Sequence, residues 1–247
     1  MAVFKLKTPI SEENVRKLKV NDVLYISGII VTARDGAHKK ALDLHHESKK
    51  LPINLEGLAI FHCGPIVKKE NGKWVIVAAG PTTSMRMDQF EDEFIKAFKV
   101  RVIIGKGGMG KKTTDAMKEY GAVYAAFTGG AGALAAKAIK NVKTVKWLQD
   151  LGMAEALWVF EVEEFGPLTV AIDSRGNNLF KEVKKKAEEN RTKIYEKLSA
   201  LDATLQAENF WGWRRNRWDR WSRRFQLGFF AASVKQISDD SHYGGNS

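Results

Sequence analysis

Apolar residues fall in short runs separated by glycine, proline and charge, and their spacing predicts strands and helices that alternate along the chain. Val23 to Thr32, Leu58 to Cys63, Trp74 to Ala79, Val100 to Ile104, Val123 to Phe127, Ala156 to Val162 and Leu168 to Ile172 read as strands. Gly166-Pro167 is expected to turn the chain between the last two. Ser11, followed by Glu12 and Glu13, predicts a capped helix ending near Leu18, and Asp35 is expected to cap a helix running to about His46. Phe90 to Phe98 is amphipathic. Asn71-Gly72 within the charged stretch Lys68 to Lys73 signals a hairpin turn. The small residues from Gly129 to Ala136 suit a helix packed close to a sheet. Leu179 to Leu198 predicts a charged, exposed helix whose apolar contacts are Phe180, Val183, Ile194 and Leu198.

One strand-to-helix junction concentrates chemistry. Gly80-Pro81-Thr82-Thr83-Ser84-Met85-Arg86-Met87-Asp88 places three hydroxyls and a guanidinium in a turn before a helix start, where free N–H groups and the helix dipole favour an anion. An ordinary capped turn would look the same locally. Arg34 occupies a similar setting, at a strand end just before a helix, although a surface arginine fits there too.

Composition narrows the classes. The 247 residues can bury a sizeable core in one or two domains, and no apolar run reaches the roughly 18 residues of a membrane span. Met1 to Lys7 lacks the apolar core of a secretory leader, so a cytoplasmic protein is expected. A net charge of +11 suits nucleic acid, a membrane surface or a small anion without choosing among them. Cys63 is the only cysteine, and a single thiol can neither form an internal disulfide nor hold zinc or an iron–sulfur cluster. No metal ligand set is predicted within this chain.

Four other stretches invite a functional reading. Gly105-Lys106-Gly107-Gly108-Met109-Gly110-Lys111-Lys112-Thr113-Thr114 approaches a phosphate-binding loop, and a nucleotide-binding module using Gly105 to Thr114 is the alternative of another class. Lys112 stands where the magnesium-binding hydroxyl belongs, which favours a glycine turn presenting Lys106 to some other anion. His62 and Cys63 are adjacent, hence on opposite faces of a strand, and read as a partnered histidine and a packed cysteine. Asp173 before Ser174-Arg175-Gly176 reads as a turn former. Between Phe210 and Phe225, four tryptophans and six arginines could form an aromatic stripe with a basic face. Nucleic acid or an anionic membrane is a conceivable partner for such a stripe, and a translated vector scar is an equal alternative.

Taken in order, Thr32-Ala33-Arg34-Asp35 with Ala37-His38, His62-Cys63-Gly64-Pro65, Ala79 to Met87, Ile104 to Met109 and Phe127 to Leu134 form a set. Over about residues 3 to 180, the chain resembles the β subunit of two-subunit, archaeal-type class I fumarate hydratases, with the L-tartrate dehydratase β subunit a close relative. The resemblance implies a swivelling β/β/α fold, a mixed sheet with flanking helices. Residues 1–180 would form that domain, 181–200 a charged C-terminal helical extension, and 201–247 a tail without a counterpart. It implies a 4Fe-4S cluster held by a partner α subunit, with one iron acting as Lewis acid on the hydroxide that leaves (S)-malate. Carried over by position, Arg34, Arg86 and Lys106 would hold the dicarboxylate and Thr82 would lie beside the carbon that loses a proton, as base or relay. Asp35, His38, Thr83 and Ser84 would support them.

Overall fold

The structure is a computed structural model that describes residues 1–207; the Trp/Arg-rich stretch and its expected partners lie outside the described residues. The chain divides into a unit from Met1 to Lys184 and a second beginning at Lys185. In chain order the elements are β1 (Val3–Lys7), α1 (Glu12–Lys17), β2 (Val23–Thr32), α2 (Asp35–His46), β3 (Ala59–Phe61), β4 (Ile66–Glu70), β5 (Lys73–Ala78), a 3-10 turn (Ser84–Arg86), α3 (Asp88–Phe98) and β6 (Val102–Gly105). There follow α4 (Lys111–Tyr120), β7 (Val123–Ala126), α5 (Gly132–Ala138), β8 (Ile139–Lys146), α6 (Leu148–Leu151), β9 (Leu157–Ile172) and α7 (Leu179–Ala207).

The main sheet has the order β1-β2-β3-β6-β7-β9-β8, and β2 pairs β9 as well, so β2, β3, β6, β7 and β9 close into a ring. Neighbours from β1 through β7 run parallel, whereas β9 is antiparallel to β2, β7 and β8. Side-chain alternation then builds two cores. Leu24, Ile26, Phe61, Cys63, Ile104, Phe127, Phe165 and Leu168 fill the inside of the ring. On the outer face, Val31, Ile60, Ile103 and Tyr124 pack with Ala37, Phe94, Ile95, Ala116 and Met117, the apolar stripes of α2, α3 and α4. The fold is thus a mixed sheet with flanking helices, as the resemblance implies. Among the described residues, no helix is long and apolar enough to cross a membrane.

Three expectations need correction, and one strand, β8, was not expected at all. The two strands predicted around Gly166-Pro167 are one strand, β9; register shifts opposite Leu24, Ile26 and Gly28 absorb the irregularity, so the pair bends the strand without reversing it. Asp35 is not the cap of α2 but its first residue. Arg34 holds the cap position, and the Glu155 carboxylate accepts the Gly36 N–H at 2.9 Å. β8 carries apolar residues every third position, Ile139, Val142 and Val145, a spacing that matches no simple strand. Bulges between Ile139 and Asn141 and between Val142 and Thr144 turn all three toward the core. Finally, Val183, Ile194 and Leu198 of α7 are more than half exposed, so among the described residues they do not make the contacts expected of them.

Candidate active site

The C-terminal ends of β2, β3 and β6 lie side by side, the edge where α/β sheets place ligands. β2 leads into Arg34, β3 into His62 and β6 into Lys106. The turn from Pro81 to Ser84 is stitched between the last two. Thr82 N–H donates to the His62 carbonyl at 2.7 Å, Lys106 N–H to the Thr82 carbonyl at 3.2 Å, and Ser84 N–H to the Lys106 carbonyl at 2.9 Å. The strand preceding this turn belongs to the separate β4–β5 hairpin, so the backbone bonds flanking Thr82 fix it to the main sheet.

Of the residues predicted for the site, Thr82, Arg86 and Asp35 are in direct contact. Arg86 Nη2 donates to Thr82 Oγ1 at 3.3 Å and pairs with Asp35 Oδ2 at 3.1 Å. Arg34 Nε faces Glu155 Oε1 at 3.1 Å, off the hydrogen-bonding line. Its Nη1 lies close over Gly64, where any side chain would collide with the guanidinium and with the Ala154 carbonyl. Lys106 is exposed, and its stem passes over Gly129. Thr83 is exposed and bridges Lys106 through its backbone. His38 and Ser84 are fully buried beneath this surface.

Burial there organises a charged cluster. His62 Nε2 and His38 Nε2 approach the same oxygen of Glu91, Oε2, at 3.0 and 3.4 Å, and all three side chains are inaccessible to solvent. Neither of these ring nitrogens makes a well-aligned hydrogen bond to Glu91, so the contacts are electrostatic and only loosely directed. The opposite ring nitrogens are anchored, His38 Nδ1 to the Arg34 carbonyl and His62 Nδ1 to Ser84 Oγ, each at 2.9 Å; the Tyr124 hydroxyl donates to Ser84 Oγ at 3.0 Å. Burial pushes the Glu91 carboxyl up, but the two imidazoles outweigh it and hold the group down at about 2. For His38, burial lowers the pKa and Glu91 more than reverses this, whereas for His62 burial wins and the pKa falls.

A carbonyl can only accept, so His38 Nδ1 carries a proton. Facing a carboxylate with its other nitrogen, His38 is an imidazolium. His62 can stay neutral, accepting from Ser84 at Nδ1 and presenting Nε2–H to Glu91. The ligand atoms of His38, His62 and Glu91 lie within 4.8 Å of one another, close enough to ligate a metal ion. Protons alone account for them, however. One imidazolium and one carboxylate leave the buried cluster neutral, whereas a divalent ion would leave it a net positive charge.

Sequence reasoning found His38 and Ser84 but missed Glu91, Tyr124 and Glu155. Glu91 did carry a signal, being a carboxylate inside the stripe Met87, Phe94, Ile95 that α3 buries. Glu155 sits between elements and had none. The His62–Cys63 reading holds: Cys63 packs into the ring interior while His62 turns to Glu91, and burial drives the Cys63 thiol up to about 12 despite Arg34 nearby. Asp173 forms the expected turn, accepting from Arg175 and Asn177 N–H groups. At the start of α4, the Asp88 carboxylate accepts from both the Gly110 N–H and the Thr113 hydroxyl at 2.7 Å. A phosphate would meet that carboxylate first, which argues against the nucleotide alternative.

A ring of parallel strands closed by one antiparallel strand, with Arg34, Arg86 and Lys106 following strands or turns at one rim, makes this an α/β scaffold with cations grouped at its C-terminal edge. Residues 2–183 match the family model described as the fumarase C-terminus, and the chain belongs to that family. A Methanocaldococcus jannaschii protein provisionally named as the L(+)-tartrate dehydratase subunit beta is 47% identical over 192 residues, 78% of this chain and 95% of that protein. The L(+)-tartrate dehydratase subunit beta of Escherichia coli (strain K12) is 45% identical over 78% of this chain and 94% of its own length. A Geobacillus stearothermophilus protein provisionally named fumarate hydratase class I is 43% identical over 78% of this chain but only 37% of its own, longer chain.

Proposed function

We propose that this chain is the β subunit of a class I-type fumarate hydratase, a hydro-lyase for the reversible dehydration of (S)-malate to fumarate. The carrying observation is that the Arg86 guanidinium lies on the Thr82 hydroxyl at the strand edge shared with Arg34 and Lys106. Arginine suits a carboxylate because its planar fork matches the two oxygens. Arg34, Arg86 and Lys106 bind and orient the diacid. Thr82 accepts or relays the proton beside a carboxylate, its alkoxide form favoured by the guanidinium. Asp35 and Glu155 hold the two arginines until substrate arrives, while Thr83, His38 and Ser84 fix the surrounding backbone.

The 4Fe-4S cluster implied by the resemblance does not fit this chain. Its sole cysteine is buried, protonated and turned into the ring interior. The cluster is therefore assigned to a partner α subunit, and the part kept here is carboxylate binding and proton handling. A second reading, L-tartrate as substrate, draws support from the names of relatives that share nearly the whole extent of the subunit. Anaerobic co-expression with an α-type subunit, followed by assays on malate and tartrate, tests both. Turnover of malate with a kcat/KM above that of tartrate is expected; the reverse order installs the second reading, and activity on neither removes both.

A further inference from the structure

The cluster around Glu91 joins segments that are far apart in sequence. His38, on α2, holds the Arg34 carbonyl; Ser84, in the 3-10 turn, follows Thr82 by two residues; His62, at the end of β3, offers its own carbonyl to the Thr82 N–H. Glu91, on α3, faces both imidazoles. Tyr124, on β7, completes the chain through Ser84. Space for it is made at Gly105, where a Cβ would overlap Ser84 Oγ and stand 3.3 Å from His62 Nδ1.

We propose that Glu91 is a positioning residue for the site: bridging His38 and His62, it locks the backbone carrying Arg34 against the turn carrying Thr82. The cations and the hydroxyl then keep one spacing, because both segments hang from a single buried centre. Misplacement of about 1 Å at a reacting group can cost on the order of 100-fold in rate, so such a lock has kinetic weight. The titratable and charged groups facing the cluster are Asp35 at the start of α2 and Arg34 before it, His62 just after β3, Glu91 on α3 and Tyr124 on β7. Only Glu91 and His38 are charged within the cluster, which makes it one ion pair with neutral extensions.

Glu91→Gln tests the proposal, since it keeps the shape and removes the charge. In the α-partnered complex, kcat/KM for malate or tartrate should fall about 10-fold or more, with KM rising through Arg34 and kcat falling through Thr82. The alkaline limb of the wild-type profile, set by His38 above its ordinary 6.5, should move to lower pH. A variant with a lowered melting temperature but unchanged kcat, KM and profile would leave Glu91 a purely structural residue and overturn the proposal.

This kinetic arm rests on the hydro-lyase reading; a second arm does not. In the full chain alone, ¹⁵N NMR at neutral pH should show His38 protonated on both nitrogens and His62 on Nε2. Glu91→Gln should speed amide exchange at Thr82 and His38 but not in α1. A neutral His38, a bound metal equivalent, or unchanged exchange defeats the lock, while an inactive wild-type complex defeats only the lyase reading. Should Glu91→Gln not fold, Ser84→Ala leaves the ion pair intact and removes the side-chain link from His62 to the Thr82 turn. It should lower kcat about 3-fold or more with little change in KM, and no change in kcat counts against the lock.

Discussion

The two faces of the site are built on opposite principles. Its open face carries Arg34, Arg86 and Lys106, and the first two are paired with carboxylates that are themselves partly exposed. Its inner face carries Glu91 with His38 and His62, none of them accessible. Solvent screens the Arg86–Asp35 pair, so it is worth little to stability and can exchange its carboxylate for another, while the Arg34–Glu155 pair is more sheltered. The inner group has no such freedom, because removing one partner strands a buried charge. The anion binding proposed for this edge would use the first property, and the fixed spacing of its residues would use the second.

The largest expected effect probes the open face. Thr82→Val should reduce turnover by about 1,000-fold while substrate still binds, measured as kcat in the partnered complex. Retained turnover would take the hydroxyl out of the chemistry. Arg86→Lys keeps the charge but loses the fork, and should raise KM by about 10- to 100-fold with the melting temperature held.

Breaking the inner face should show in stability instead. Gly105→Ala forces a methyl into Ser84 and should cost about 1–3 kcal/mol, read from denaturant midpoints. Acid titration sharpens the contrast. Glu91 titrates near 2 in the folded chain against an ordinary 4.5, so its contribution is full above 4.5 and lost as pH falls toward 2. Glu91→Gln should flatten that part of the stability profile. At the far end of the scale, Lys111→Ala breaks only the exposed Lys111–Asp115 pair and should shift the melting temperature by about 1 °C or less.

Most of the open face was legible in the sequence because its residues sit at strand ends, next to glycine and proline, where short motifs mark turns. The strand cores were legible for the same reason. What escaped was whatever depends on distant pairing. β8 hid behind two bulges that turn a two-residue period into three, and β9 hid its continuity behind a Gly-Pro pair that bends without reversing. Glu155 joined Arg34 from more than a hundred residues away, a partnership no local pattern encodes. Glu91 was the near miss: a carboxylate on an apolar stripe is a conflict between levels, and such conflicts gather at functional sites.

The sealed thiol of Cys63 has a practical side. With its proton held on to about pH 12 and no route for reagents, this polypeptide offers oxygen and alkylating agents almost no thiolate to attack. Purified in open air, it should stay unlabelled by iodoacetamide until unfolded and still restore a freshly made anaerobic companion. Any loss of activity on the bench would then trace to the companion alone.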